Sequence, residues 1–287
     1  MSLAVERVGG KRRVALVRDR IRIRGRVSAY AAEEKVVVRV YRGKRKIHIQ
    51  AVKLLPSPGG GGSFVIGYKP KQAGRIVVRA EHFASAALGG FAAAARSVDI
   101  LPRRVGPGSG RNSVRALQGR LDALGYVVGR RGSYDARTGR AVLAFRKVTG
   151  MARTTSASQQ VMRRVARGGG RFKVRFPSHG RHEEADLSRQ VLVLVSSGGR
   201  VERIYPISSG KPSTPTVTGS FRVYSKTPGT NAKGMVDSSY FIRGYATHGY
   251  PSVPVFAASH GCLRVPIPDA RSLFNWIRIG TPIDVYP

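Results

Sequence analysis

Residues 246–264 read Ala-Thr-His-Gly-Tyr-Pro-Ser-Val-Pro-Val-Phe-Ala-Ala-Ser-His-Gly-Cys-Leu-Arg and contain the single cysteine of the chain, Cys262. His260 stands two positions before this cysteine and His248 fourteen positions before it, in a chain with only six histidines. A thiol at its usual pKa of about 8.5 is only a few per cent thiolate at neutral pH, so a nucleophilic cysteine needs a base beside it. The stretch therefore predicts a cysteine nucleophile rather than the small buried hydrophobe that a lone cysteine usually is.

The glycine beside the cysteine suits the same chemistry. Gly261 lets the backbone come close to a substrate, and consecutive amides at such a turn can point at a developing oxyanion. A thiol, an imidazole and this turn together are what acyl transfer through a thioester requires. One cysteine also excludes an internal disulfide framework and a multi-cysteine metal site.

The order of these residues resembles the signature of L,D-transpeptidase catalytic domains, the cysteine enzymes of peptidoglycan cross-linking. Three more stretches are similar to that family in the same order along the chain: Asp186-Leu-Ser-Arg-Gln190, Thr214-Pro-Thr-Val-Thr-Gly-Ser-Phe221 and Gly280-Thr-Pro-Ile283. The resemblance covers residues 183–287 and implies a β-rich catalytic domain over that range.

The resemblance also implies roles for individual residues. Cys262 resembles the family nucleophile and His248 the base that activates it. Gly249 occupies the place where a backbone carbonyl orients the histidine, and His260 and Gly261 match positions that shape the pocket and supply oxyanion amides.

The substrate-binding residues expected from the resemblance are Ser259, Arg264, Tyr240 and Tyr245, although the two tyrosines would also fit a core. The implied donor substrate is a peptidoglycan tetrapeptide stem. The thiolate attacks the carbonyl of its third residue, D-Ala leaves, and the amine of a second stem gives a 3–3 cross-link. Water as acceptor would make the protein an L,D-carboxypeptidase instead. No metal or organic cofactor is implied.

The segment 109–168 has the spacing of three short helices. Val114, Leu117, Leu121 and Leu124 recur at helical intervals before Gly125. Asp135 is positioned to cap a second helix that ends near Gly150, and Ser156 with Gln159 predicts a capping box for a third. The pieces Leu121-Asp-Ala-Leu-Gly-Tyr126 and Gly132-Ser-Tyr-Asp135 resemble the three-helix peptidoglycan-binding module. A plain helical spacer would have the same periodicity.

The segment 1–103 reads as short strands separated by turns. Residues 20–27 alternate basic and apolar side chains with period two, and residues 35–41, 74–80 and 96–101 supply further strands. This pattern predicts a small immunoglobulin-like β-sandwich. The whole chain is thus expected to be multidomain: the sandwich at 1–103, the helical module at 109–168 and the catalytic domain at 183–287.

The charge predicts an anionic partner. Lys and Arg number 51 against 15 Asp and Glu, which gives a net charge of +36. No helix-turn-helix, zinc-finger or aromatic-basic sheet pattern is present, so anionic cell-wall polymers are expected rather than nucleic acid. A wall-anchoring protein with a silent catalytic domain is the competing interpretation, and the presence of both His248 and Cys262 disfavours it.

Location and metal binding are predicted only indirectly. Met1–Glu6 lacks the apolar run of a signal peptide, and no stretch has the length of a membrane-spanning helix. The implied substrate nevertheless predicts an extracytoplasmic location, in the wall or secreted, with the export signal trimmed from this chain. His179, His182 and Glu183 form a weak candidate metal site without further ligands nearby.

Overall fold

The structure, a computed structural model, describes residues 1–6 and 14–287. Contacts divide the chain into two compact units. The first consists of Met1–Val105 and Ala157–Gly169, and the second consists of Gly106–Ser156 and Gly170–Pro287. The chain therefore passes from the first unit to the second and back again before it completes the second.

The described residues form strands and helices in the following order: β1 Ser2–Val5, β2 Val14–Leu16, β3 Ile21–Val27, β4 Lys35–Arg42, β5 Arg45–Lys53, β6 Leu55–Pro56, β7 Gly62–Tyr68, β8 Gly74–His82, β9 Phe91–Ala92, β10 Arg96–Leu101, α1 Arg111–Asp122, α2 Ala136–Val148, α3 Gln159–Ala166, β11 His182–Asp186, β12 Val191–Val195, β13 Val201–Pro206, β14 Gly219–Arg222, β15 Ser225–Thr230, β16 Val236–Ile242, β17 Tyr245–Tyr250, β18 Leu263–Pro266, α4 Ile267–Trp276 and β19 Pro282–Tyr286. Over the part of the chain that the structure describes, no helix has the length and apolar character of a membrane span.

The first unit contains two β-sheets that share one apolar core. One sheet has the strand order β1-β3-β7-β6, and the other has the order β2-β10-β8-β4-β5 with β9 paired to β8. In β3, Ile21, Ile23 and Val27 are buried and the intervening arginines are exposed, which confirms the predicted alternation. Phe64 of one sheet and Val78 of the other lie in the same core cluster. The unit is a β-sandwich, and its immunoglobulin-like character stays a prediction.

Helix α3 belongs to this first unit and contacts β2. Its N-cap is Ser158, whose side chain makes no capping hydrogen bond. The predicted capping box of Ser156 and Gln159 is therefore wrong, because Gln159 is the first helical residue and not the third.

The second unit is built on a five-stranded sheet, β13-β12-β11-β19-β14, and a four-stranded sheet, β15-β16-β17-β18. Leu192 and Tyr205 of the larger sheet share a core cluster with Phe241 and Leu263 from the smaller sheet and its end. Helix α4 contacts β16, β17 and β18. Its Trp276 is buried.

Helices α1 and α2 are part of the second unit. After α1, Gly125 has a φ of 90°, and its carbonyl accepts the N–H of Ile204 in β13 at 2.8 Å. Helix α2 begins after Asp135 as predicted, because an Asp135 carboxylate oxygen accepts the N–H of Thr138 at 2.8 Å. The three predicted helices are thus present, but contacts assign the first two to the second unit and the third to the first. The grouping of all three in one binding module stays a prediction.

One predicted strand is two strands in the structure. The sequence from 185 to 195, which ends in five apolar residues, predicts a single buried strand, but it forms the end of β11, a turn and then β12. The carboxylate of Asp186 accepts the N–H of Arg189 at 2.8 Å, and Gln190 has a φ of 59°. These polar residues reverse the chain, and β11 and β12 pair antiparallel.

Candidate active site

Two neighbouring parallel strands position the predicted nucleophile and base. His248 lies in β17, and Cys262 immediately precedes β18. The register of these strands pairs His248 with Arg264. The backbone N–H of Ala246, also in β17, donates to the Cys262 sulfur. The imidazole is thus on one strand of a parallel pair, and the thiol immediately precedes the other strand, two positions before the partner of His248.

His248 is buried, and one side of its ring is fixed. Its Nδ1 lies 2.9 Å from the carbonyl oxygen of Gly249. Because a carbonyl only accepts, Nδ1 carries the proton of the neutral ring and Nε2 is left as the acceptor. Burial lowers the His248 pKa below its usual 6.5, with a further lowering by Arg264, against the opposite effect of the Gly249 hydrogen bond. The imidazole is therefore neutral at pH 7.

Cys262 is partly buried, with its Sγ 3.7 Å from the carbonyl oxygen of Gly244. Burial raises the pKa of the thiol, and this effect outweighs the Ala246 hydrogen bond and the positive charges of Arg264 and Lys233. The thiol of Cys262 and the imidazole of His248 are consequently both mostly neutral at pH 7.

Ser259 holds the turn in front of the nucleophile. Its hydroxyl donates to the carbonyl oxygen of Cys262 at 2.6 Å and accepts the N–H of Gly261 at 3.0 Å. Gly261 has a φ of 112°, and a Cβ there would collide with the ring of Tyr245, so both the backbone and the space require glycine. The Gly261 amide, which the resemblance assigned to the oxyanion, has Ser259 as an internal partner.

The loop from 208 to 216 supports this turn. Thr216 Oγ1 donates to the carbonyl oxygen of Gly261 at 2.8 Å and accepts the N–H of Gly210 at 2.9 Å. Thr214 Oγ1 donates to the carbonyl oxygen of Ser259 at 3.1 Å. Sequence reasoning placed both threonines in a family-like stretch but gave them no role, although that stretch was the available signal.

The same loop is attached to α2 through hydrogen bonds. Lys147 Nζ donates to the carbonyl oxygens of Gln190 at 3.0 Å and Ile207 at 2.9 Å. The Gln190 side chain donates to Ser209 Oγ at 2.6 Å and accepts the N–H of Ser209 at 3.0 Å. The carbonyl oxygen of Ser209 in turn accepts the N–H of Ser259 at 2.8 Å. A continuous series of hydrogen bonds therefore joins α2 to the turn of the nucleophile.

Lys147 is buried, and sequence reasoning missed it. Burial lowers its pKa to about 7, with a smaller contribution from Arg153. The apolar positions Ala141, Val142 and Phe145 defined the expected buried face of the helix, and a lysine beyond them reads as solvated. No periodicity in the sequence indicates that the ammonium of this lysine is buried against the carbonyl oxygens of Gln190 and Ile207.

The remaining predicted residues lie around the same strands. The guanidinium of Arg264 lies 4.1 Å from the ring centroid of Tyr250. Tyr240 is in β16, one strand beyond His248, and its hydroxyl accepts from Asn231 Nδ2 at 3.3 Å. His260 is exposed. The structure thus brings Cys262, His248, Gly249, Ser259, Gly261, Arg264 and Tyr245 together, with Tyr240 on the next strand and the His260 side chain facing solvent.

The histidines of the weak metal candidate have other partners. His182 places Nδ1 2.7 Å from the carbonyl oxygen of Gly180 and Nε2 3.2 Å from the Glu184 carboxylate. His179 Nδ1 lies 3.0 Å from the carboxylate of Asp284. Among residues 1–6 and 14–287, no group of three His, Cys, Asp or Glu side chains is arranged to hold a metal ion.

Glu183 is a buried acid that the sequence did not identify as such. Neither of its carboxylate oxygens has a hydrogen-bond partner within the described residues. Burial raises its pKa to about 8, against the positive charges of Arg181 and Lys226, so the carboxyl is largely protonated at pH 7.

Comparisons with known proteins agree with this geometry. The YkuD family model, an L,D-transpeptidase catalytic domain, matches residues 180–285. L,D-transpeptidase 1 from two strains of Mycobacterium tuberculosis is 32% identical over 112 residues, and the match covers 32% of this chain but only 45% of those proteins. The crystal structure of an L,D-transpeptidase from Xylanimonas cellulosilytica DSM 15894 is 34% identical, with a TM-score of 0.58 over 64% of this chain and 98% of that chain. The chain belongs to the L,D-transpeptidase family.

Proposed function

We propose that the chain is a peptidoglycan L,D-transpeptidase that forms 3–3 cross-links through a thioester on Cys262. One observation carries the proposal. A buried, neutral His248, with its Nδ1 fixed on the Gly249 carbonyl, lies in the strand next to the one that Cys262 immediately precedes. Such an imidazole is prepared to accept one proton at Nε2 and to return it.

In the first half-reaction, Cys262 Sγ attacks the carbonyl carbon of the third residue of a tetrapeptide stem, and His248 Nε2 takes the thiol proton. The carbon–nitrogen bond to the terminal D-Ala then breaks, and the imidazolium gives its proton to the leaving amine. A thioester on Cys262 remains. Because both groups are neutral at rest, the proton moves during the attack rather than before it.

In the second half-reaction, the side-chain amine of an acceptor stem attacks the thioester carbon. His248 takes a proton from this amine, the carbon–sulfur bond breaks, and the proton returns to the sulfur as the thiol. The product is an amide between the third residues of two stems. The overall reaction exchanges one amide bond for another and needs no cofactor.

The charges around the sulfur favour this path. Arg264 and Lys233 both lower the pKa of Cys262, which means that they stabilise negative charge at this point. The turn that presents the sulfur is held by Ser259 and Thr216, so little backbone reorganisation is needed when charge develops.

The substrate fixes the expected location. Peptidoglycan stems lie outside the cytoplasmic membrane, so we place the protein there, in the wall or secreted. An L,D-carboxypeptidase would use the same thioester with water as the acceptor. A silent wall-anchoring protein would form no thioester at all.

The test is the intact mass of the protein after incubation with a carbapenem. We expect one covalent adduct on the protein and none on a Cys262→Ala variant. Incubation with a disaccharide-tetrapeptide then separates the activities, because a transpeptidase yields a 3–3 dimer and a carboxypeptidase yields only the tripeptide. An adduct of equal yield on the Cys262→Ala variant would refute the assigned nucleophile, and no adduct on either protein would favour the silent anchor.

A further inference from the structure

A basic cavity lies at the start of α1, apart from Cys262 and its partners. Its volume is ≈ 430 Å³, within the range of about 300–1,000 Å³ that is typical of ligand pockets. Its lining consists of four arginines, a glycine and a serine: Arg111, Arg115, Arg130, Arg131, Gly132 and Ser133. We call these residues the arginine cavity.

The four arginines have no acidic partners. Arg111 and Arg115 are one turn apart on α1, whose first turn contains no acidic residue. Arg130 and Arg131 lie in the loop that leads to α2. None of the four guanidinium groups has a carboxylate within 4.0 Å among residues 1–6 and 14–287.

Two other arginines of the same helical pair share an acidic partner. Arg137 and Arg140 of α2 both pair with the Asp269 carboxylate, at 2.6 Å and 3.1 Å. In the arginine cavity, by contrast, four exposed guanidinium groups lie together and no carboxylate of the described residues pairs with them, so the cavity presents a concentrated positive charge to solvent.

The loop that carries two of these arginines is held in place by a buried side chain. Gln118 of α1 accepts the N–H of Gly132 at 2.7 Å, and its amide group donates to the carbonyl oxygens of Arg130 at 2.9 Å and Ser133 at 3.1 Å. An Asp135 carboxylate oxygen accepts the N–H of Arg130 at 2.7 Å. Gly132 has a φ of 82°, so it adopts a backbone conformation that few other residues tolerate. The backbone of the cavity is thus fixed before any ligand arrives.

We propose that the arginine cavity binds phosphate groups of a phosphodiester-linked anionic polymer of the cell wall. Guanidinium forks match phosphate oxygens in a bidentate manner, and four of them at one cavity suit a ligand with several negative charges. A stem peptide fits less well, because its amine offsets part of its carboxylate charge, whereas a phosphodiester polymer carries a negative charge at every repeat. The choice of a wall polymer over a nucleic acid rests on the proposed function.

The test is a titration of the full chain with a fluorescent poly(glycerol phosphate) oligomer, followed by anisotropy at several salt concentrations. The first variant combines Arg111→Gln, Arg115→Gln, Arg130→Gln and Arg131→Gln. The matched control removes the same number of charges from exposed positions of the sandwich: Lys44→Gln, Arg45→Gln, Lys46→Gln and Lys71→Gln. We expect about a 10-fold or greater loss of affinity and a shallower salt dependence for the first variant, and less than about a 3-fold loss for the control.

Equal losses in the two variants would overturn the proposal, because binding would then follow net charge alone. Two further titrations identify the ligand chemistry. Poly-L-glutamate that binds as tightly as the phosphate polymer would overturn the assignment to phosphate. An oligodeoxynucleotide of equal phosphate number that binds more tightly through the same arginines would overturn the assignment to a wall polymer.

The experiment also distinguishes this proposal from the proposed function. Cys262→Ala should bind the polymer as well as the unmodified chain does. The four-arginine variant should react with a carbapenem at an unchanged rate, since the cavity contains none of the residues around the sulfur. Loss of polymer binding with retained acylation supports polymer binding by the arginine cavity, whatever the natural substrate of Cys262 is.

Discussion

The two compact units bury different kinds of side chain. In the described part of the first unit the buried side chains are apolar except for His82, whereas the second unit buries Lys147, Glu183, His248 and Ser259 among its core residues. Burying polar and charged groups costs free energy unless they are well partnered, so they persist where they position other groups. The core of the sandwich is therefore apolar, whereas the core of the second unit includes polar groups, among them Ser259, which holds the turn before Cys262.

The largest effect that this comparison predicts is on catalysis. Cys262→Ala should reduce acylation by a carbapenem to background while the melting temperature changes by no more than about 2 °C, because the change removes one sulfur from a partly buried position. Intact mass and a thermal melt measure the two quantities. A large fall in melting temperature would show that the sulfur has a packing role.

The opposite result is expected from the sandwich. Ile76→Ala removes a fully buried side chain from the apolar core of the first unit and should lower its free energy of unfolding by about 2–5 kcal/mol. Acylation of the folded protein should be unchanged. Denaturant unfolding and the carbapenem assay check both statements. An acylation rate as low as that of the cysteine variant would contradict the view that the core of the first unit affects stability and not acylation.

Lys147 should give a smaller effect that depends on pH. Its pKa is about 7 in the folded protein and near 10.5 when unfolded, so between these values only the unfolded state holds the proton and stability rises with pH. Lys147→Met should abolish this rise. The same variant should lower the free energy of unfolding by about 1–3 kcal/mol at pH 9, because two buried carbonyl oxygens lose their hydrogen-bond donor. It should also slow acylation.

Thermal melts from pH 6 to 10 measure the effect, with Lys173→Met, an exposed lysine of the same unit, as the control. An unchanged acylation rate in the Lys147 variant would mean that the hydrogen bonds from α2 do not position the nucleophile turn.

The smallest effect concerns Glu183. The folded protein keeps this carboxyl protonated up to about pH 8, whereas the unfolded chain ionises it near 4.5, so stability falls as pH rises across that window. Glu183→Gln should match the unmodified protein near pH 4.5 and be more stable above pH 8. Paired melts at these two pH values test it, with the exposed Asp122→Asn as the control. Equal stability at both values would place the Glu183 carboxyl in contact with water.

The sequence predicted elements whose signals are local. Alternation identified β3, the cap residue Asp135 identified the start of α2, and the spacing of His248 and Cys262 identified two residues that the fold brings to adjacent strands. These features depend on neighbours in the chain, so one window of sequence contains them.

The features that sequence reasoning missed depend on distant partners. Lys147 is buried because a sheet that begins beyond residue 180 supplies carbonyl oxygens for its ammonium, and no property of α2 indicates this. The sequence from 185 to 195 does not indicate the chain reversal within it, which the left-handed backbone conformation of Gln190 permits. Thr216 supports Gly261 from 45 positions away, a contact that only the folded chain creates.

The raised pKa of Cys262 has a consequence for chemical damage. Peroxides and disulfides react with the thiolate form of cysteine, and they oxidise exposed, acidic thiols first. Partial burial keeps this sulfur mostly protonated until a substrate approaches. The chain has no second cysteine that could rescue an oxidised one by an internal disulfide. The same burial that keeps the thiol protonated therefore also slows its oxidation, so the working lifetime of the protein should depend on the shielding of this one atom.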